Sequence, residues 1–268
     1  MFNLNGKNII ISGGNGFLGR VYCELVSEMG GNPIVLDVNL KDIKTFLLDL
    51  KNKYNNEPSY YLCDISDYKK VKKIYNKIIL KYKNFHALVN NAAINPKFNK
   101  LKKSQQFLEN FDLDSLKREI EVGLYGAINC TKIFGYHLAK KKYGSIVNIS
   151  SDLGVIAPNH NIYNFNKTNR YDSVKPVSYS IIKSAIIGLT RYTSTYWAKD
   201  NIRCNALAPG GVFENQDKKF VKKISSLIPL GRMANANELK GPIGFLLSDE
   251  SSYVNGQILL VDGGRSTW

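Results

Sequence analysis

The sequence predicts an α/β protein in which helices cover both faces of a doubly wound, seven-stranded parallel sheet. Short, continuously apolar runs rich in Ile and Val alternate with amphipathic stretches of helical periodicity. The runs lack the alternating polar positions of a half-exposed antiparallel strand, which favours buried parallel strands. No Pro-, Ser- or Gly-rich linker divides the chain, so residues 1–268 are expected to form a single domain.

Seven strands and six helices are predicted in alternating order. The strands are 8–11, 33–37, 59–62, 86–90, 145–149, 201–207 and 257–261. The helices are 17–30, 40–53, 67–83, 112–141, 177–199 and 236–247. Crossovers of this length between parallel strands are right-handed. The segments 155–176 and 209–235 show no clear pattern, and a loop as long as the first usually has a function or is disordered.

The composition is that of an ordinary globular protein. Apolar residues make up 44% of the chain, enough for a sizeable core. No apolar run approaches the ~20 residues of a membrane span, and the first residues lack the pattern of a signal peptide, so neither a membrane nor a secreted protein is expected. The cysteines and histidines show no metal-ligand spacing, which predicts buried reduced thiols, no metal and a cytoplasmic location.

The chain carries an excess of lysine. With 37 Lys and Arg against 22 Asp and Glu, the formal net charge is +15. In segment 69–83 the lysines alternate with Val71, Ile74 and Ile78 at helical spacing, which indicates the solvated face of a helix. No helix-turn-helix, zinc or RNA-binding signature accompanies the charge, so nucleic acid is not expected as a partner.

A glycine-rich turn joins the first strand to the first helix. Gly13, Gly16 and Gly19 recur at every third position there. Glycine permits a sharp turn and a close approach of the backbone to a pyrophosphate, and the following helix N-terminus supplies free N–H groups. The pattern therefore predicts a dinucleotide site, with a plain tight turn as the alternative.

Acidic residues follow the next two strands. Asp37 closes the second strand, where its carboxylate can accept both ribose hydroxyls of an adenosine. It would repel a 2′-phosphate, so NAD(H) is favoured over NADP(H). Asp64, after the third strand, is placed to contact the adenine ring. The small residues of segment 90–93, after the fourth strand, can pack beside the cofactor.

Tyr179 and Lys183 are four residues apart in a predicted helix and therefore share one face. An ordinary tyrosine has a pKa of about 10 and is a poor base at neutral pH. A nearby ammonium is expected to lower that pKa toward the range of efficient proton transfer. Ser151 ends the fifth strand, at the edge where ligands bind in such folds, and its hydroxyl can hydrogen-bond a substrate carbonyl.

With these motifs the chain resembles the short-chain dehydrogenase/reductase superfamily over essentially its whole length. In the family's order they are Ser12–Gly19, Asp37, Cys63–Ile65, Asn90–Ala93, Asn148–Ser151, Tyr179 with Lys183, Asn205–Gly210, Pro229–Met233 and Val261–Gly264. The resemblance implies a Rossmann fold, a nicotinamide cofactor, hydride transfer at a carbinol or ketone, and a homodimer or homotetramer.

The resemblance also implies roles for individual residues. Tyr179 would be the catalytic acid/base, Ser151 would polarise the carbonyl, and Lys183 would hold the nicotinamide ribose. The other expected cofactor-binding residues are Gly13, Asn15, Gly16, Phe17, Leu18, Gly19, Asp37, Asp64, Ile65, Asn91, Ala92, Ala93, Pro209, Gly210 and Val212.

The sequence departs from the family pattern at several positions. Phe17 stands where the commoner glycine spacing has a glycine, and Gly123 stands where an asparagine relays protons to the catalytic lysine. The interval from Ser151 to Tyr179 is about twice the usual one, because of the 155–176 loop. A hydroxyl residue that usually follows the Pro–Gly pair is also missing, and Glu214 lies near its place.

The 155–176 loop is expected to lie over the substrate. Its Lys167, Arg170 and Lys175, among asparagines and tyrosines, suit a hydroxylated or phosphorylated ligand, with a merely solvated loop as the alternative. Three further strings, Glu121–Ala127, Ser150–Pro158 and Asp262–Trp268, resemble flagellin-modification-type oxidoreductases and are similar to gluconate dehydrogenases. That resemblance implies a sugar substrate.

Two other functions stay open on the sequence alone. An acyl-carrier-protein ketoreductase has the same fold, but it tends to prefer NADPH, which Asp37 disfavours. A catalytically silent dinucleotide sensor would fit Gly123 and the positive charge, but it would not need Ser151, Tyr179 and Lys183 together.

Overall fold

Continuous runs of Ile, Val and Leu form the strands of one sheet in the computed structural model, which describes residues 2–94, 106–164 and 173–268. The strands are β1 (Asn8–Ser12), β2 (Asn32–Asp37), β3 (Ser59–Leu62), β4 (Ala87–Asn90), β5 (Gly144–Ile149), β6 (Ile202–Pro209) and β7 (Ile258–Val261). All are parallel, in the order β3-β2-β1-β4-β5-β6-β7. This confirms the predicted fold class and every predicted strand.

The direction of winding reverses beside β1. Ile10 of β1 pairs with Ile34 of β2 on one side and with Leu88 of β4 on the other. The chain thus runs outward from β1 to β3 and then crosses back to β4. In parallel α/β sheets, the carboxyl ends of the strands at such a reversal leave a crevice for a ligand.

Helices occupy the connections between the strands. They are α1 (Phe17–Glu28), α2 (Ile43–Tyr54), α3 (Tyr68–Tyr82), α4 (Leu113–Ile120), α5 (Gly126–Cys130), α6 (Tyr136–Lys141), α7 (Val177–Tyr196), α8 (Lys218–Ser225) and α9 (Lys240–Leu247). The predicted helix 112–141 corresponds to α4, α5 and α6. Two π-helical turns, Glu121–Tyr125 and Thr131–Gly135, join these helices, and the Asp112 carboxylate caps the start of α4.

The helix α8 corrects the expectation that segment 209–235 is irregular. Asp217 caps it by accepting the backbone N–H groups of Lys219 and Phe220 at 2.9 and 3.3 Å. Ile224 packs with Ile162 and other residues in a small apolar cluster. This cluster supports one side of the crevice described above.

The two faces of the sheet carry separate apolar clusters. On one face, Leu25 and Val26 of α1 pack with Ile243 of α9. On the other, Ile78 of α3 packs with Phe134 between α5 and α6. Each of the chain's cysteines is buried, and none forms a disulfide. No helix in the described ranges combines the length and apolar character needed to cross a membrane.

Candidate active site

The carboxyl ends of the strands open into a cavity of about 890 Å³. This volume lies within the range of small-molecule and cofactor sites. The predicted residues on its wall are Gly13, Asn15, Gly16, Phe17, Leu18, Asp37, Asp64, Ile65, Asn91, Ala92, Ala93, Ser151, Tyr179, Lys183, Pro209, Gly210 and Val212. Motifs far apart in sequence therefore meet at one edge of the sheet.

The glycine turn allows the backbone to line this cavity. Gly13 has φ +64°, and a Cβ there would lie 2.7 Å from the Cα of Ala92. A Cβ at Gly19 would collide with the carbonyl oxygen of Gly13. Gly19, unlike the other predicted cofactor-binding residues, is not on the cavity wall. Gly19 therefore has a structural role, because the absence of a Cβ lets α1 pack against the turn.

Two polar residues hold the turn against the sheet. The Asn91 side-chain amide donates to the carbonyl oxygens of Ser12 and Gly13 at 3.1 and 2.9 Å. Asp37 accepts the backbone N–H of Asn15 at 3.0 Å on one carboxylate oxygen and that of Asn39 at 3.0 Å on the other. Each oxygen of Asp37 retains further acceptor capacity toward the cavity, since an ionised carboxylate has about four lone-pair sites.

These features fit a dinucleotide. Gly16 is the N-cap of α1 and makes no side-chain cap, so N–H groups of the first turn remain available at the cavity wall. The positive end of the helix dipole and the absence of Cβ atoms suit a pyrophosphate at this point. Asp37 lies at the end of the neighbouring strand, where a ribose would be bound.

Ser151, Tyr179 and Lys183 meet at the opposite side of the same cavity. The Ser151 side chain lies close enough to the Tyr179 hydroxyl to favour its ionised form. Lys183 Nζ lies 5.7 Å from the centroid of the Tyr179 ring and donates to the carbonyl oxygen of Ile149 at 2.7 Å. The three predicted residues are thus brought together because Ser151 follows β5, while Tyr179 and Lys183 lie in the first two turns of α7.

Burial changes the ionisation of this group. It raises the pKa of Tyr179, and the neighbouring Ser151 side chain opposes this effect only in part. Burial, together with the charge of Lys175, lowers the pKa of Lys183 to about 8. The expectation of a lowered pKa for Tyr179 is therefore wrong in direction, because burial disfavours the charged phenolate.

A buried ion pair beside Ser151 was not predicted. Asp152 accepts a hydrogen bond from Ser151 Oγ at 2.8 Å and pairs with Arg265 at 2.7 Å. Both charged side chains are almost fully buried. The residues are far apart in sequence, so no local pattern could have joined them. Through this pair the C-terminal turn of the chain fixes the loop that carries Ser151.

A ladder of buried amides supports the sheet edge below the site. The Asn90 side-chain amide donates to Asn148 Oδ1 at 2.8 Å and to Thr131 Oγ1 at 3.0 Å. Asn148 donates in turn to Thr190 of α7 at 2.9 Å. Because polar groups in such a place are costly unless bonded, this ladder fixes the ends of β4 and β5 relative to α7.

The fold also explains the departure at Gly123. This residue is buried in the first π-helical turn, and a Cβ there would lie 2.9 Å from Cγ2 of Ile182 on α7. An asparagine at this position would displace Ile182. Glycine therefore allows close packing of two helices at the place where the family pattern has a polar relay residue.

Further charged residues line the cavity near Tyr179. Lys175 precedes α7, and Arg118 lies on α4. Lys175 belongs to the loop that the sequence predicts over the substrate, and the structure places it on the cavity wall. Lys167 and Arg170 of the same loop lie outside the described residues. Among the residues that are described, no group of His, Cys, Asp and Glu side chains is arranged to hold a metal ion.

Comparison with known proteins extends these observations. Residues 7–224 match the family model for short chain dehydrogenases. The chain is 30% identical to a 3-oxoacyl-acyl-carrier-protein reductase of Thermotoga maritima, over 97% of this chain and 98% of that protein. It is 29% identical to the post-translational flagellin modification protein A of Campylobacter coli, again over 97% and 98% of the two chains.

A solved structure shows the same fold. It is a gluconate 5-dehydrogenase from Burkholderia cenocepacia in complex with NADP and tartrate, with a TM-score of 0.85 at 24% identity. The match covers 100% of this chain and 98% of that one. The family model spans most of the chain, and the motif order and the sheet agree with it. The protein therefore belongs to the short-chain dehydrogenase/reductase family and is an oxidoreductase of that family.

Proposed function

We propose that this enzyme transfers a hydride between NAD(H) and a secondary alcohol or ketone of a sugar or sugar phosphate. The observation that carries the proposal is the meeting of Ser151, Tyr179 and Lys183 with the glycine turn in one cavity. Short-chain dehydrogenases act on small molecules and use nicotinamide cofactors, which leaves the cofactor type and the substrate as the points to be tested.

The chain's own residues handle the proton of the reaction. When bound, the nicotinamide supplies the hydride to a carbonyl carbon or accepts it from a carbinol. During reduction the Tyr179 hydroxyl gives its proton to the substrate oxygen, and during oxidation Tyr179 takes a proton from it. Ser151 Oγ turns from Asp152 to hydrogen-bond that oxygen, while Arg265 keeps the Asp152 charge paired. Lys183 holds the ribose and places positive charge beside the phenol.

Asp37 supports the choice of NAD(H). Its carboxylate lies on the cavity wall at the end of β2 and keeps acceptor capacity for ribose hydroxyls. A 2′-phosphate placed there would be repelled by the negative charge. Since the gluconate 5-dehydrogenase of the same fold was solved with NADP, the two cofactors have to be compared directly.

The relatives and the polar loop support a sugar-type substrate. One relative is a flagellin modification protein, and the gluconate 5-dehydrogenase holds tartrate, a small hydroxylated acid. The reductase relative from Thermotoga maritima makes acyl-thioester reduction the second candidate function. The proposal also places the enzyme in the cytoplasm, in keeping with its unpaired buried cysteines.

A homodimer or homotetramer is part of the proposal. Large aromatic side chains are exposed on the helices after β4 and β5, among them Tyr125, Tyr136, Tyr192 and Tyr196. Exposed apolar groups of this size favour an interface between subunits. Light scattering of the purified protein would show a mass of two or four chains, and a monomer at micromolar concentration would contradict this part.

A substrate panel tests the function. Purified enzyme is incubated with NAD⁺ or NADP⁺ and with sugar acids, polyols and sugar phosphates, and with NADH or NADPH and β-ketoacyl thioesters. We expect turnover of a sugar-type alcohol with NAD⁺. Reduction of β-ketoacyl thioesters without oxidation of any sugar derivative would replace the proposal with the acyl-thioester function.

A further inference from the structure

A second ammonium lies against the catalytic tyrosine. Lys175 Nζ is 3.8 Å from the centroid of the Tyr179 ring, closer than Lys183 Nζ at 5.7 Å. Lys175 and Tyr179 both line the cavity. The Tyr179 ring is therefore faced by the Lys175 ammonium, from just before the N-cap of α7, and by the Lys183 ammonium, from the next turn of the helix.

The chain around Lys175 is anchored, which distinguishes it from a lysine on a solvated loop. Val174 is buried, and the hydroxyl of buried Ser173 donates to Gln106. Pro176 is the N-cap of α7, and its carbonyl accepts the N–H of Tyr179 at 3.3 Å. The side chain of Lys175 is consequently directed to the cavity by a fixed backbone.

Among the described residues, Glu119 and Asp152 are the acidic groups whose charges act on Lys175. Burial has the largest effect and lowers the pKa of Lys175 to about 8, while Glu119 and Asp152 act against it. Asp152 already pairs with Arg265 at 2.7 Å. The burial of Glu119 raises its own pKa, although the Ser178 side chain and the charge of Lys175 act against it. In the part of the chain that the structure describes, the cavity wall carries the cationic side chains of Lys175, Lys183 and Arg118 beside acidic ones such as Glu121.

We propose that Lys175 is a specificity-determining residue that binds an anionic group of the substrate, a carboxylate or a phosphate, next to the reacting carbinol. The inference rests on the proposed dehydrogenase function and names the class of its substrate. Lys175 lies over the ring of Tyr179, while the reacting oxygen lies at the hydroxyl of the same side chain. The anionic group is therefore separated from the reacting carbon by only a few bonds.

Kinetics with matched substrates test this assignment. D-mannitol, D-mannitol 1-phosphate and D-gluconate are polyhydroxylated and carry no charge, a phosphate and a carboxylate, respectively. We expect the wild-type enzyme to prefer one of the two anions. Lys175→Gln should raise the KM for the preferred anion about 10- to 100-fold, as expected for loss of a charge-assisted hydrogen bond, and should change the KM for mannitol less than about threefold.

The chain provides a matched control. Lys140 Nζ also lies over a tyrosine ring, that of Tyr136 at 4.7 Å, but this residue is exposed on α6 and does not line the cavity. Lys140→Gln should leave all three substrates unaffected. Lys175→Arg keeps the charge and should restore most of the preference for the anion. Equal losses with charged and neutral substrates in Lys175→Gln would assign Lys175 a purely structural or proton-transfer role and overturn the inference.

A binding measurement separates this inference from the proposed function. Calorimetry in the presence of NADH measures binding of the three ligands without turnover. Anion binding that is lost in Lys175→Gln and kept in Lys140→Gln supports the inference even if the enzyme proves to reduce β-ketoacyl thioesters. If mannitol is oxidised and the anions bind no better than mannitol, the proposed function stands and the role of Lys175 is refuted.

Discussion

At the scale of single residues, burial governs the ionisation of the groups around Tyr179. The spacing of Tyr179 and Lys183 predicted their common face, and the structure places both on the cavity wall. The direction of the change in the tyrosine pKa was not predictable, because it depends on how much water the fold removes from the phenol. The sequence predicted that Lys175 belongs to a loop over the substrate, but it gave no sign that the ammonium lies against the Tyr179 ring, because that contact depends on the fold.

The buried ammonium of Lys175 should reduce the stability of the fold. Its pKa of about 8 in the folded state lies below the value of about 10.4 in an unfolded chain. Below pH 8 Lys175 is protonated in both the folded and the unfolded state, and its burial lowers the free energy of unfolding by the full amount. Between these two pKa values the unfolded state binds more protons, so the destabilisation caused by Lys175 decreases as the pH rises.

Lys175→Met therefore tests the cost of this charge. We expect the variant to be more stable than the wild type by about 1–2 kcal/mol at pH 7, allowing for the lost contact with the tyrosine ring. The difference should shrink as the pH rises from 8 toward 10. Urea unfolding at several pH values measures it, and a variant less stable than wild type at pH 7 would show that the ammonium stabilises the fold.

At the scale of elements, apolar periodicity identified the strands and most helices but not every helical segment. The strands were predictable because their residues are buried on both faces, as in β4 and β5. The short helix α8 was missed between irregular stretches, although the spacing of Phe220, Val221 and Ile224 after the capping Asp217 is a helical signal. The π-helical turns leave no such signal, because they arise from packing against neighbouring elements.

The contact between the first π-helical turn and α7 makes Gly123 a position that no side chain fits. A Cβ would lie 2.9 Å from the stiff β-branched Ile182. Gly123→Ala should destabilise the fold by about 1–3 kcal/mol. Gly188 of α7 provides the control, because a Cβ there meets nothing within 4 Å, and Gly188→Ala should stabilise by up to about 1 kcal/mol. Thermal unfolding of both variants checks the contrast, and equal effects would refute it.

The C-terminal turn and the serine loop depend on the ion pair between Asp152 and Arg265. Arg265→Met leaves a buried carboxylate without its partner, so we expect a loss of about 3–5 kcal/mol and a lower kcat. Arg232→Met is the matched control, because its pair with Glu238 has the same 2.7 Å distance but is exposed, so its loss should change the stability far less. Similar losses in the two variants, measured by urea unfolding, would contradict this account.

At the scale of the whole molecule, the order of the strands assembles the site. The family and the sheet were predictable from motif order, since each motif follows a particular strand. Contacts between residues far apart in sequence, such as that of Asp152 with Arg265, were not predictable, because these residues come together only in the folded chain. Binding at such a crevice stabilises the entire fold, by about 2.7 kcal/mol when the ligand is present at 100 times its Kd.

Cofactor choice should therefore be visible in thermal unfolding. NAD⁺ should raise the Tm more than NADP⁺ at equal concentration, because Asp37 repels the 2′-phosphate. Asp37→Asn removes the charge and retains an acceptor oxygen for one of the two backbone N–H groups that bind this side chain, so the difference between the Tm shifts with the two cofactors should narrow. A larger shift with NADP⁺ in the wild type would refute the role of Asp37.

The central claim is that the Tyr179 hydroxyl moves the proton while the dinucleotide moves the hydride. Turnover and dinucleotide affinity of Tyr179→Phe, measured on one preparation, test it most directly. We expect kcat to fall by about 10²–10⁴-fold while the Kd for NAD⁺ stays within about threefold, since the phenol oxygen is lost and the glycine turn is intact. Turnover close to that of the wild type would contradict the claim.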